Sequence, residues 1–328
     1  MVSADQYSGN GPKSLSIVIP LYNEGDHVES SLSEIGRYAH TRTVADMGVQ
    51  DVEFVLVDDG SSDNTWEAIG RFASVHAKCV CLRLSRNFGK EAAICAGIEH
   101  AHGAAVIVMD GDLQHPPELI PEMVRLWTVE GFDVVDAVKA DRGEEPAWYR
   151  FHARLFNQVM SRLSGFDLAD ASDFKLLDRR VVTAFLRLSE RQTFYRGLVA
   201  WLGFRHARLP MIVKPRMAGR STWSLLRLLG LAVTGLTSFS TAAMHLVSLM
   251  GMMFLIAAIV LTVKTLWTWL RGEAVPGIAT VIILQLGIGS VTMIALGIIG
   301  EYLSRVYGET KARPRYVVAD SLDHRSHP

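Results

Sequence analysis

The chain has 328 residues, a formal charge of −1, 49% hydrophobic residues and 20% charged residues; that length admits one large domain or two ordinary ones. The apolar content excludes a disordered chain, and near-neutral charge with evenly scattered basic residues gives no nucleic-acid footprint. Only three charged side chains, Lys264, Arg271 and Glu273, fall within 239–299, which argues against a soluble monomer.

Residues 1–14 are polar and lack the apolar stretch of a secretory signal, so they read as a flexible N-terminus and the portion that follows is expected in the cytosol. Strand-like apolar runs then recur at 15–21, 52–58, 80–85, 104–110 and 133–138, separated by helical patterns such as 63–75 and 89–102. This alternation predicts an α/β domain with a mainly parallel, Rossmann-like sheet covered on both faces. Ligands of such sheets bind beyond the carboxyl ends of the strands. Asn23 and Glu24, Asp58 and Asp59, and Asp110 and Asp112 all fall there. Cys79, Cys81 and Cys95 form neither a disulfide framework nor a zinc spacing, and read as buried thiols in a reducing compartment.

Further along, helical patterns are expected around 147–163, 179–188 and 194–202, with a short strand near 173–177. The run 221–236 has Arg227 as its only charge. It reads either as a buried core helix or, lying ahead of a membrane span, as an interfacial helix, and that position favours the second. Two apolar segments, about 241–263 and 277–299, are each long enough to cross a hydrocarbon core of roughly 30 Å. Trp267 and Trp269 sit where an interfacial aromatic belt belongs. Arg216, Arg220 and Arg227 precede the first segment, and Arg305, Lys311, Arg313 and Arg315 follow the second. Basic flanks of this kind put both chain ends on the cytosolic side of the plasma (inner) membrane and the connector outside. The expected division is a catalytic domain over 15–220, an interfacial helix over 221–238, a two-helix hairpin over 239–300 and a cytosolic tail over 301–328.

The sharpest chemical signal is MDGDLQHPPE at 109–118, where Asp110 and Asp112 flank Gly111 directly after an apolar strand. Two carboxylates so placed can hold a hard divalent cation that bridges a diphosphate, and Gln114 can add a third oxygen. In VDDGSSDNT at 57–65, Asp58 and Asp59 end a buried strand and can accept from a nucleobase imide or ribose hydroxyl, while Asp63 reads as a helix cap. IPLYNE at 19–24 can offer backbone groups and Glu24 to the same nucleotide.

Together with RNFGKEAA (86–93), DFKLL (173–177), ERQTFYRGLVAWLGF (190–204), RMAGRSTW (216–223) and GEYLSRVYGETKARPRY (300–316), these motifs resemble the inverting family-two glycosyltransferases of the GT-A fold. The resemblance is closest to the polyprenyl-phosphate glycosyltransferases, which include dolichyl-phosphate mannose synthase and the bactoprenol glucosyltransferases. It covers nearly the whole chain, the paired spans included. It implies a nucleotide sugar donor (UDP-glucose favoured; galactose, N-acetylhexosamine, aminoarabinose and GDP-mannose open), a polyprenyl phosphate acceptor, Mg²⁺ or Mn²⁺ as cofactor, and a homo-oligomer, a tetramer by the same resemblance.

Carried over by position, Asp110, Asp112 and Gln114 form the metal and diphosphate site, and Pro20, Tyr22, Glu24, Asp58 or Asp59, with Asp110, hold the nucleotide sugar. Asp173 matches the aspartate considered a catalytic base or a sugar ligand, and Asp112 and Arg142 complete the catalytic set. Lys139, Arg142 and Arg196 match the basic groups that grip the acceptor phosphate. The family's Ala-Gly-x-Ser-Lys motif ends here in Thr222, so either Arg220 replaces the missing lysine at that phosphate or the acceptor is handled differently. A processive polysaccharide synthase would carry Gln-x-x-Arg-Trp and more spans, where this chain has Gln192 to Arg196 followed by Gly197. A transporter would need acids within its spans, and these have none. A non-catalytic nucleotide-sugar-binding scaffold is the remaining alternative class.

Overall fold

The computed structural model describes residues 13–25, 27–76, 78–139, 171–188, 190, 194–211, 242–272 and 277–324. The expected helices over 147–163 and 221–238, the 273–276 part of the connector, and Arg142, Arg216, Arg220 and Thr222 lie outside the described residues. The chain divides into two compact units, one formed by 1–157, 166–221 and 314–328, the other by 158–165 and 222–313.

In the first unit the strands are β1 (Lys13–Leu21), β2 (Val49–Asp58), β3 (Cys79–Leu84), β4 (Ala105–Val108), β5 (Val134–Lys139), β6 (Ala171–Asp178), β7 (His206–Met211) and β8 (Val318–Asp323). They build one sheet in the order β7-β5-β6-β4-β1-β2-β3-β8. The pairs β1–β2, β1–β4, β2–β3 and β5–β7 are parallel. Antiparallel pairs enter where β6 lies between β4 and β5, and where β8 closes the edge at β3. Central strands with no solvent face read as continuous apolar runs. Accordingly Ile17, Val18 and Ile19 of β1 and Val55, Leu56 and Val57 of β2 are fully buried.

The covering helices are α1 (Val28–Ala39), α2 (Arg42–Asp46), α3 (Thr65–Val75), α4 (Lys90–His100), α5 (Ile120–Thr128), α6 (Arg179–Leu186) and α7 (Tyr195–Trp201). α1 buries Val28, Leu32, Ile35 and Ala39, one stripe at helical spacing, and turns Glu34 and Arg37 outward. α4 is buried on nearly every side from Ala92 to Ile98, and its small residues let it lie close to the sheet. All three cysteines are free and buried, with the Cys79 and Cys81 sulfurs 3.7 Å apart on one face of β3.

Two expectations are corrected. The stretch 301–328 is not simply a tail: Val80 to Leu84 of β3 pair antiparallel with the segment Val318–Asp323, which hides the edge that β3 would otherwise present. The sequence signal was weak because VADSLD alternates poorly and lies after a long helix. Asp63 does not cap α3 from the N-cap position, which Asn64 occupies without a side-chain bond. Its carboxylate instead accepts from the Thr65 N–H (3.0 Å) and from the Gly25 N–H (3.1 Å), so it ties two loops together.

In the second unit α8 (Ala242–Leu270) and α9 (Ile278–Thr310) are 29 and 33 residues long. Both outrun the apolar segments expected from sequence, and Trp267 and Trp269 lie inside α8 rather than in a loop. Each contains a window long and apolar enough to cross a membrane, Gly251–Leu270 and Gly287–Thr310, and neither window is buried in the protein. A soluble core helix of that composition would be buried. At 1.5 Å per residue α9 is about 50 Å long, more than a hydrocarbon layer of about 30 Å requires.

Candidate active site

Because β1, β2, β3 and β4 run in one direction, their carboxyl ends share an edge, and the antiparallel β6 begins at that edge. The β4–β6 register pairs Val108 with Lys175. Continued two residues past the end of β4, it sets Asp173 opposite Asp110. Lys139, the last residue of β5, reaches the same edge through its backbone.

The loops after β1 and β2 are sewn together. The Asn23 N–H donates to Ser61 Oγ and the Glu24 N–H to Thr65 Oγ1, each at 2.9 Å, while Asn23 Oδ1 accepts from the Ser62 N–H at 2.9 Å. Asn23 adopts φ +53°, a left-handed conformation that asparagine tolerates better than most residues. Pro20 pairs with Val57 one step before the parallel register ends at Leu21 and Asp58, and Tyr22 is exposed beside this loop.

Asp58 and Asp59 are both buried. Asp58 accepts from the Ser61 N–H at 2.9 Å, and its second oxygen lies 3.4 Å from Arg83 Nε. Asp59 uses its two oxygens on the N–H groups of Phe88 (2.7 Å) and Gly89 (2.9 Å). Gly60, at φ +69°, lets this turn approach the next loop: a Cβ there would meet the Arg86 carbonyl carbon at 2.4 Å. Asp59 therefore fixes Phe88 and Gly89, which deliver Lys90 as the first residue of α4.

Beyond β4, Asp112 Oδ1 accepts from the Gln114 N–H at 3.1 Å, a turn that holds Leu113 at φ +56°. The Asp110 N–H donates to His115 Nδ1 at 3.1 Å, and the His115 ring stacks on Phe174 at 5.3 Å. That bond makes Nδ1 the acceptor, so the proton sits on Nε2, and burial pushes the histidine pKa down in keeping with a neutral ring. Gly111 keeps the turn close to the first loop: a Cβ would meet Leu21 Cδ2 at 2.6 Å and Glu24 Oε2 at 3.1 Å. Burial, then the charges of Asp112 and Asp110, push the Glu24 carboxyl up to about 7.

A second cluster adjoins these acids. Lys90 Nζ lies 2.6 Å from Asp110 Oδ1 and 2.6 Å from Asp173 Oδ2. Arg196, on α7, donates from Nε to Asp173 Oδ1 at 2.6 Å and from Nη2 to Oδ2 at 2.9 Å. Burial alone would raise the Asp173 carboxyl, but the Arg196 fork and charge and then Lys90 outweigh it and hold it well below the usual carboxylate range. Glu91 accepts from the Tyr195 N–H at 2.7 Å, and burial pushes it up to about 7.

The residues expected from sequence thus fall into three groups. Pro20, Tyr22, Glu24, Asp58, Asp59, Asp110, Asp112, Gln114, Asp173 and Arg196 gather around the carboxyl edge. Lys139 ends its strand there, and Arg142 and Arg220 lie outside the described residues. Sequence reasoning missed Lys90 and Glu91 as site residues, although both stand in the quoted motif RNFGKEAA.

Comparisons with known proteins bear on this arrangement. The family model described as "Glycosyl transferase family 2" matches residues 16–188. An uncharacterized glycosyltransferase of Synechocystis sp. is 39% identical over 311 residues, 93% of this chain and 95% of its own. A prophage bactoprenol glucosyl transferase homolog of Escherichia coli is 33% identical over 309 residues, 93% and 98% of the two chains. The prophage-derived bactoprenol glucosyl transferase of Shigella flexneri is 33% identical over 319 residues, 96% and 99%.

Proposed function

The chain belongs to glycosyl transferase family 2, and from that premise we propose that this glycosyltransferase moves a hexose, glucose the favoured one, from a UDP-sugar onto polyprenyl phosphate with inversion. The observation that carries the reading is the convergence on one sheet edge of an acid set, Glu24, Asp110 and Asp112, with a cation set on Asp173. Support for the acceptor comes from the bactoprenol glucosyl transferases, which match this chain over more than nine-tenths of its length. The two long apolar helices fit a lipid acceptor, with the catalytic unit on the cytosolic face.

The acid set offers the oxygen donors that Mg²⁺ and Mn²⁺ take, with Glu24 brought against the Asp110–Gly111–Asp112 turn; among the described residues no three such side chains are gathered closely enough to hold an ion by themselves, so oxygens of the diphosphate would complete its shell. Asp110 and Asp112, with Gln114 and Glu24 beside them, would hold it. Such an ion would neutralise the departing diphosphate. Glu24, Tyr22, Pro20 and the Asp58–Asp59 turn form the nucleotide side of the edge.

The acceptor is a phosphate monoester with a second pKa of about 6, so at cytosolic pH it is mostly dianionic. Its oxygen forms the new bond to the anomeric carbon as the bond to the diphosphate breaks, and no proton has to be removed. An α-linked nucleotide sugar then gives a β-linked lipid phosphate. Asp173, held ionised between two cations, serves better as their anchor than as a base. Of the acceptor-phosphate set Lys139, Arg142, Arg196 and Arg220, Arg196 stands in this cluster and Lys139 ends β5 at the same edge. What these residues contribute is positioning and charge compensation, the terms on which such a displacement depends.

The test is incubation of the detergent-solubilised protein with undecaprenyl phosphate and a panel of UDP- and GDP-sugars, with mass spectrometry of the lipid. A glucosyl lipid phosphate formed from UDP-glucose with a β anomeric carbon is expected. Turnover of another sugar corrects the donor, and binding of nucleotide sugar with no lipid product from any donor would favour a non-catalytic scaffold.

A further inference from the structure

Lys90 is an odd residue to find where it stands. It is the first residue of α4, where the helix dipole disfavours a cation. Its backbone is nonetheless fixed, because the preceding Phe88 and Gly89 N–H groups are both held by Asp59. From that mount its ammonium reaches one oxygen of Asp110 and one of Asp173, each at 2.6 Å. Asp173 has a second cation in contact with it, Arg196, whereas Asp110 touches Lys90 and has two further acids nearby, Glu24 and Asp112.

We propose that Lys90 is an internal stand-in for the divalent cation: it occupies Asp110 while the site is empty and yields that carboxylate when the metal arrives, remaining on Asp173. The inference rests on the reading of Asp110 and Asp112 as metal ligands. Its physical basis is mutual exclusion. An ammonium at hydrogen-bond distance from Asp110 Oδ1 and a divalent ion on the same carboxylate would repel each other strongly in a partly buried site. Asp173 keeps a carboxylate oxygen on the displaced ammonium, so the exchange does not strip Lys90 of its partner. Lys90 is then a positioning residue that moves cationic charge from the acid set toward Asp173 and Arg196 when the metal binds.

The experiment measures Mn²⁺ binding to the full-length protein in detergent, without nucleotide, by electron paramagnetic resonance of the free ion, alongside thermal unfolding. Removing a competing charge-assisted hydrogen bond is expected to make Lys90→Gln bind Mn²⁺ about tenfold more tightly than the unaltered protein. Lys90→Arg keeps both ion pairs, and therefore the fold, but grips Asp110 with a fork; it is expected to bind Mn²⁺ about threefold more weakly. A purely structural bridge predicts instead a lower unfolding temperature for Lys90→Gln with Mn²⁺ affinity unchanged or reduced. That result, or an Lys90→Arg protein that binds Mn²⁺ as well as the unaltered one, overturns the inference while the metal site stands. If the unaltered protein takes up no Mn²⁺ with or without UDP, the metal reading fails and the inference with it.

Discussion

Arg196 grips Asp173 with two parallel hydrogen bonds, Nε to Oδ1 at 2.6 Å and Nη2 to Oδ2 at 2.9 Å, across the gap between α7 and β6. With Lys90 on the same carboxylate, both Asp173 oxygens are committed to cations. A general base needs a pKa near the working pH, and this carboxyl is driven far in the other direction. The pair is better understood as a carboxylate that holds two cations in place.

Asp173→Asn is therefore expected to lower turnover about a hundredfold without removing any ionisation from the pH profile. The depressed pKa of Asp173 means that its stabilising contribution is complete above the unfolded value of about 4 and fades only as pH falls below it. Breaking a pair whose cations are partly exposed costs roughly 1–3 kcal/mol. Rate profiles between pH 5 and 9 check this. An acid limb present in the unaltered enzyme and absent from the variant would restore Asp173 as a proton acceptor.

Asp112→Asn is expected to cut transfer at least a hundredfold while leaving the unfolding temperature within about 2 °C, because an asparagine Oδ1 can still accept the Gln114 N–H and keep the turn at Leu113. Chelation of divalent ions should do the same to the unaltered enzyme. A variant that is fully active in chelator would remove the metal from the reaction.

Much of this site was legible in the sequence because parallel strands announce themselves as apolar runs and end in polar turns: Asp58, Asp59, Asp110 and Asp112 could be placed on one edge from spacing alone. What could not be read was the direction of β6. A run such as DFKLL carries no signal of its partner, so the pairing that sets Asp173 opposite Asp110 comes from tertiary structure. Lys90 escaped for the same reason, since its two carboxylate partners lie 20 and 83 residues away. β8 escaped because an edge strand facing solvent needs little hydrophobic pattern.

Glu91 makes the stability of the catalytic unit depend on pH. Burial raises its carboxyl from 4.5 to about 7, so the folded state binds the proton more tightly than the unfolded one. Stability from this group is full below about 4.5 and falls as pH rises toward 7, by roughly 3 kcal/mol at about 1.4 kcal/mol per unit. Glu91→Gln, which can still accept the Tyr195 N–H, should match the unaltered protein near pH 4.5 and become the more stable of the two by pH 7.5, with the difference level above that. Urea unfolding across this range checks it. A constant difference at all pH values would show that the carboxyl is already ionised when folded.

The final prediction concerns the return of the chain to the catalytic unit after α9. Arg315 donates from Nε to the Glu190 carbonyl at 2.8 Å and from Nη2 to the Leu188 carbonyl, in the segment that leads into α7 and Arg196. The next residue, Tyr316, donates its hydroxyl to Glu99 on α4, the helix that begins with Lys90, at 2.5 Å. The Ser85 N–H donates to the Val317 carbonyl at 2.9 Å before β8 pairs with β3. A short stretch of chain thus braces both elements that deliver cations to Asp173, and these hydrogen bonds go to residues 188–190, α4 and the end of β3 rather than to the loops that carry Glu24, Asp58 or Asp112. Arg315→Ala should therefore lower kcat about tenfold and leave the KM for nucleotide sugar within about twofold, since hydrogen bonds to a charged donor contribute roughly 1.5–3 kcal/mol each and these are partly exposed. Arg315→Lys, a single ammonium in place of a fork, should recover only part of the loss. Steady-state kinetics with both substrates varied decide it. A loss confined to nucleotide-sugar KM, or none at all, would mean that the brace has no part in holding Arg196 and Lys90 in position.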